Sequence, residues 1–138
     1  MTSLPAGLRD LVRRGPLVHL ATINSDGSPQ VTVVWMGLDG DRLVSAHMHR
    51  NLKVRNMQHD PRVVLSFDAP RQPGVFLAEH AVLRATASVT DGGAWQQLDD
   101  LAKVYLGPDV TFPAPRAPGG FVVRYSVDRI GGVGPWAG

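Results

Sequence analysis

Apolar residues recur along this chain in two periods, and the changes of period mark out the elements. From Pro5 to Arg14, Leu8, Leu11 and Val12 fall at helical spacing, with Pro5 acceptable in a first turn and Gly15-Pro16 as the stop. Leu17 to Ile23 alternates apolar and small polar residues, which predicts a strand. Ser25-Asp26-Gly27 supplies hairpin-turn chemistry, and Gln30 to Leu38, rich in β-branched residues, predicts a second strand. After the turn at Asp39-Gly40, Arg42 to Ala46 is the third. Short turns join antiparallel neighbours, so these three strands are expected to form a meander.

The period then lengthens. Asn51 to His59 predicts a short helix stopped by Asp60-Pro61. Arg62 to Phe67 is a fourth strand, Ala69 to Gly74 a loop, and Val75 to Val89 a long strand-like run. Asp91 to Leu106 reads as a helix with Trp95, Leu98, Leu101, Ala102 and Tyr105 on one side. Gly107 to Gly120 is a proline-rich irregular loop, Phe121 to Ile130 a last strand, and the glycine-rich tail carries Trp136. Six short strands with few helices predict a mainly β fold: a six-stranded antiparallel barrel with helices at its ends, one domain spanning residues 1–138. A barrel this short struggles to hide its edges alone, so a homodimer is expected.

Composition narrows the chemistry. Hydrophobic residues make up 43% and charged residues 19% of 138 residues, which suits one globular core. The net charge of +2 and the lack of a basic stripe interleaved with aromatics give no sign of nucleic-acid binding. There are no cysteines, which excludes disulfides, thiolate metal sites and thiol nucleophiles. Pro5, Gly7, Arg9 and Asp10 break the first apolar stretch, so no signal peptide is expected. No apolar run is long enough to span a membrane. A cytoplasmic location is the expectation.

The stretch Ser45-Ala-His-Met-His-Arg-Asn-Leu-Lys-Val-Arg-Asn-Met-Gln-His-Asp-Pro61 is the richest in candidate chemistry. Arg50, Lys53 and Arg55 crowd a helix start beside a plausible N-cap, Asn51. Cations there oppose the helix dipole by roughly 0.3–1 kcal/mol each, and a bound anion would compensate. The plainer alternative is a solvated charged face. On the strand Gln30-Val-Thr-Val-Val-Trp35, Gln30, Thr32 and Val34 share one face, and Val31, Val33 and Trp35 the other. A Gln–Thr row suits hydrogen bonding to the heteroatoms of a flat ring, although an ordinary strand with one solvated face has the same pattern. His47 and His49 alternate at a strand end without a carboxylate or third histidine at ligand spacing, so no metal site is expected. No P-loop, G-x-S-x-G or G-x-G-x-x-G signature is present.

Two segments, Leu20-Ala-Thr-Ile-Asn-Ser-Asp-Gly-Ser-Pro-Gln-Val-Thr-Val-Val-Trp35 and Asn51-Leu-Lys-Val-Arg-Asn-Met-Gln-His-Asp-Pro-Arg62, resemble the split-barrel flavin-binding superfamily that includes pyridoxamine 5′-phosphate oxidase. The resemblance runs well from Leu17 to Val89 and more loosely beyond. The run Val33-Val-Trp-Met-Gly37, the ending Val127-Asp-Arg-Ile-Gly-Gly-Val-Gly-Pro-Trp136 and the short chain look most like the small actinobacterial reductases that use an 8-hydroxy-5-deazaflavin, coenzyme F420.

This resemblance implies a homodimeric split barrel and cofactor contacts at Gln30, Thr32, Val34, Ser45, Ala46, His47, Asn51, Lys53, Arg55 and His80. Lys53 matches the phosphate-binding lysine, and His80 falls near a ring-contacting position often supplied by the second subunit. It also implies hydride transfer from reduced coenzyme F420 to a conjugated, electron-poor small molecule. The alternatives are an FMN-dependent oxidoreductase of the same fold and a non-catalytic flavin- or deazaflavin-binding protein. Leu52 stands where the vitamin enzyme has an arginine, and that enzyme's substrate-phosphate residues are not recognisable, so vitamin B6 oxidation is not implied.

Overall fold

The computed structural model describes residues 2–115 and 119–137. Its elements run α1 (Ala6–Arg13), β1 (Val18–Ile23), β2 (Pro29–Val34), β3 (Gly37–Asp39), β4 (Arg42–His47), α2 (Leu52–His59), β5 (Arg62–Asp68), β6 (His80–Asp91), α3 (Ala94–Tyr105) and β7 (Phe121–Val133). The strands form one antiparallel sheet in the order β2-β1-β5-β6-β7-β4-β3.

Four expectations need correction. The sheet has seven strands, not six, and it is open: its outer strands do not pair to close a barrel. The predicted second strand breaks at Trp35-Met36. There the Met36 N–H leaves the ladder and donates to Tyr105 Oη at 3.0 Å, while Tyr105 Oη donates to the Pro16 carbonyl at 2.6 Å. The three-strand meander is therefore not formed. β2 pairs with β1 at one edge of the sheet, and β3 pairs with β4 at the other. Only Trp35 and Met36 connect the two edges, a reach of about 10 Å, so the sheet must roll on itself although its edges stay unpaired.

Rolling encloses the core. Leu20, Leu43, Leu65, Leu83, Val123 and Tyr125 point inward from successive strands, and Leu8, Leu11 and Val12 of α1 join the same cluster. Apolar residues at period two on the strands and at helical spacing on α1 thus meet on one surface. The long run after the fourth strand is also shorter than expected. Asp68 pairs with His80, and Ala69 N–H bonds the Glu79 carbonyl at 2.8 Å as the last rung. Val75, Phe76 and Leu77 do not alternate and all lie exposed in the connecting loop rather than in a strand. Of the proline-rich loop between α3 and β7, residues 116–118 lie outside the described residues.

A buried polar cluster fixes α2 on the sheet. Asn56 Nδ2 donates to Thr22 Oγ1 at 3.0 Å and to Asn24 Oδ1 at 2.9 Å, and Thr22 Oγ1 donates to Gln30 Oε1 at 3.2 Å. Asn56 and Thr22 are both buried, so these bonds are made in a low-dielectric setting where an unpaired amide would be costly. No helix among the described residues is long and apolar enough to cross a membrane.

Candidate functional site

The end of β4 and the start of α2 form one corner. Asn51 caps α2: its side-chain oxygen accepts from Val54 N–H at 3.3 Å. The turn between the elements is held by close packing, because Gly120 (φ 77°) passes so near that a side chain there would press on the His47 carbonyl, 2.8 Å away. A cleft of about 330 Å³ opens at this corner. One part of its wall is Ala46, His47, Met48, Asn51 and Lys53; another is Val33, Val34, Trp35, Leu98 and Phe112.

The aromatic wall is preorganised. Trp35 stacks on Tyr105 with ring centroids 5.0 Å apart and planes within 9°. Phe112 meets Trp35 edge-on at 5.8 Å. The two hydrogen bonds of Tyr105 Oη hold that stack at the break between β2 and β3.

The polar wall has unusual electrostatics. Lys53 is half-buried, and burial lowers its pKa. It makes no ion pair with any described residue, and no carboxylate lines the cleft. His47 is 6% exposed. Burial, and then repulsion from Lys53, push its pKa down to about 4, so it is neutral near pH 7. Behind it, Ser45 Oγ lies 2.9 Å from His47 Nε2 and 2.7 Å from Tyr125 Oη. A cation without a counterion beside a neutral histidine makes a place where an anion gains and a second cation loses.

The residues expected at a cofactor site distribute as follows. Val34, Ala46, His47, Asn51 and Lys53 share the cleft, with Ser45 directly behind His47. Gln30 and Thr32 do not line it. They lie on the inner face of β2, where Gln30 bonds Thr22 and Thr32 Oγ1 is buried without a partner. Arg55 projects into solvent, and Arg50 bonds Gln58 Oε1 at 2.7 Å. His80 is remote: His47 pairs with Phe121 and His80 with Val133, opposite ends of β7. Trp35, Leu98 and Phe112 were not anticipated. The apolar side of α3 read from the sequence already held Leu98, though not as a site residue, while Phe112 sits in a loop without period.

The chain matches the pyridoxamine 5′-phosphate oxidase family over residues 4–133. It belongs to that family. Among solved structures it is similar to an F420 reductase, with 26% identity, a TM-score of 0.76, and 93% of this chain and 98% of that one covered. Two more distant likenesses show the fold alone. They are an FAD-binding protein from Mesorhizobium loti (19% identity, TM-score 0.66, 95% of each chain) and the heme storage protein HutZ from Vibrio cholerae (15%, 0.64, 93% and 92%). No curated protein matches in sequence. The fold is thus that of flavin- and deazaflavin-related oxidoreductases, and it is shared by proteins whose names carry other cofactors.

Proposed function

We propose that this chain is an oxidoreductase that uses reduced coenzyme F420 to transfer a hydride to a conjugated, electron-poor small molecule. The observation that carries this reading is the pairing of Lys53, a half-buried cation without a counterion, with the fixed aromatic wall of Trp35 and Phe112 in one cleft. A cofactor with an anionic tail and a flat ring fits such a cleft. Likeness to an F420 reductase over nearly the whole chain supports the deazaflavin over other flavins. When bound, the reduced deazaflavin supplies the hydride from its C5. Lys53 and the α2 amide ends would hold the phosphate, and His47, Asn51 and Ala46 would flank the chain leading to the ring. Trp35 and Phe112 exclude water from one side of the cleft.

The cleft is at the small end of the range for ligand sites, about 300–1,000 Å³, so it takes part of a cofactor. A second copy of the chain would complete it. The outer sheet face is unusually apolar for a free surface: Val31 and Val33 are 61% and 49% exposed. Across the ladder, Val31 lies beside Ala21, Ala21 beside Val64, and a groove of about 470 Å³ runs along these strands. Pairing two such faces gives a homodimer, and only a second copy could bring His80 toward the cleft. We place the reaction in the cytoplasm, with which a cysteine-free chain is compatible.

Mixing the protein with reduced coenzyme F420 and quinone-like or enone acceptors tests the reading. Acceptor-dependent recovery of the oxidised deazaflavin absorbance is the expected result. Tight FMN binding with none for the deazaflavin would move the assignment to an FMN enzyme, and binding of the deazaflavin without turnover on any acceptor to a carrier.

A further inference from the structure

The hydrogen atoms of the Tyr125–Ser45–His47 chain can be assigned from polar satisfaction. Tyr125 is fully buried, and its hydroxyl has one partner, Ser45 Oγ at 2.7 Å. If Tyr125 accepted that bond, its own hydrogen would be buried and unpaired, which is costly. Tyr125 therefore donates to Ser45. The Ser45 hydroxyl then donates to His47 Nε2 at 2.9 Å, so Nε2 carries a lone pair and Nδ1 carries the hydrogen. Thr32 Oγ1 is the one buried side-chain polar atom without a partner among the described residues. His47 Nδ1 bonds no protein group either, so it is not sealed off, and it opens onto the cleft that His47 lines. His47 is thus a neutral N–H donor locked in one tautomer.

The charge at this end of the cleft follows. Lys53 is the one cation among its described lining residues. Arg50 is turned to Gln58 and Arg55 to solvent. One full positive charge faces the ligand, and the other groups at this end, His47, Asn51 and the α2 amide ends, are neutral donors.

We propose that this end of the cleft is built for a singly charged phosphodiester and discriminates against a doubly charged terminal phosphate. The inference rests on reading the cleft as a cofactor-phosphate site. A terminal phosphate carries about −1.5 to −2 at pH 7. Its second charge would enter a partly buried site that has no second cation to meet it, whereas a diester, with a charge of −1, is matched by Lys53. Ser45 and Tyr125 act as positioning residues, since they hold His47 from accepting the proton that would add the second charge.

The test uses the wild-type protein and two ligand pairs: riboflavin 5′-phosphate against its methyl diester, and the 8-hydroxy-5-deazaflavin riboside 5′-phosphate against its methyl diester. Affinities are read by fluorescence titration at pH 8 and pH 5. At pH 8 the diester of whichever ring binds should be favoured by about tenfold. At pH 5, below the second phosphate pKa of about 6, the preference should shrink toward parity. The Leu52→Arg variant adds a second cation at a 43% exposed position at the start of α2, and it should tighten the monoester selectively. Nitrogen-15 NMR of His47 should show hydrogen on Nδ1.

A monoester bound as tightly as its diester at pH 8 overturns the proposal, as does hydrogen on Nε2. Failure of both deazaflavin ligands while the riboflavin diester is preferred would sink the F420 reading and leave the charge rule standing. Deazaflavin binding with a monoester preference would do the reverse.

Discussion

Asn56, the fifth residue of α2, reaches Thr22 of β1, its Nδ2 donating to Thr22 Oγ1 at 3.0 Å. This bond joins the helix that carries Lys53 to the first hairpin of the sheet. Lys53 and Asn56 are three residues apart, so they share a helix face only in part. Asn56 points into the protein, while Lys53 points toward the cleft.

Replacing Asn56 with alanine should destabilise the protein by about 1–3 kcal/mol, the cost of leaving the buried Thr22 and half-buried Asn24 acceptors without this donor. Cofactor affinity should fall as well, although Asn56 does not line the cleft. Urea unfolding together with a ligand titration checks both. A variant with reduced stability and unchanged affinity would show that α2 is positioned by other contacts.

Lys53→Ala should weaken cofactor binding by about 1.5–3 kcal/mol, the worth of a hydrogen bond to a charged group. Lys53→Met carries a different signature. Burial lowers the Lys53 pKa, so holding the charged form costs the folded protein stability as the pH falls below the ordinary lysine range. The methionine variant should therefore be at least as stable as wild type without ligand and lose affinity for the anion. Thermal unfolding with and without cofactor separates the two effects. A destabilised methionine variant would mean that Lys53 serves the fold.

His47 should give the protein a distinct acid response. Its folded pKa is about 4, held down by burial and then by Lys53, against an ordinary 6.5. Between those values the unfolded chain binds a proton that the folded protein refuses. Stability is therefore fully present above about pH 6.5 and is lost as the pH falls to about 4, by about 3 kcal/mol for this residue. Carboxylates contribute their own acid sensitivity, so the comparison is with His47→Gln. That variant should lose less stability between pH 7 and pH 4.5 in urea titrations. Parallel curves for the two proteins would contradict a buried neutral histidine.

The corner around Lys53 was legible in sequence because its signals are local. An Asn before a helix, a cation in the first turn and an Asp-Pro stop lie within a dozen residues, and the observed helix and cap match them. The aromatic wall was not legible, because it depends on contacts far apart in the chain. Where Trp35 leaves the strand pattern, Tyr105 Oη, about seventy residues on, takes the Met36 N–H that a ladder would otherwise use. At the same break β3 passes to the far edge of the sheet, which local turn chemistry could not foretell. Phe112 sits among prolines with no period to read. Val75 to Leu77 looked strand-like by residue type, yet the hairpin register set by Asp68 and His80 leaves them in a loop.

The outer sheet face supplies the last prediction. Val31 of β2 neighbours Ala21 of β1, and Ala21 neighbours Val64 of β5, so three small apolar side chains form a row across the ladder. A strip like this on a rolled sheet whose edges are unpaired is a poor surface to leave in water. Two copies meeting on it would bury the row twice. A lysine at Val31, 61% exposed in one copy, fits the isolated chain without strain but places two like charges near each other across a two-fold contact. Val31→Lys should therefore leave the fold intact by circular dichroism and shift the protein toward monomer in analytical ultracentrifugation. If the cleft is completed by the second copy, cofactor affinity should fall in proportion to the monomer fraction and recover at high protein concentration. A wild-type protein that sediments as a monomer at tens of micromolar would remove this face as a dimer contact and leave His80 outside the site.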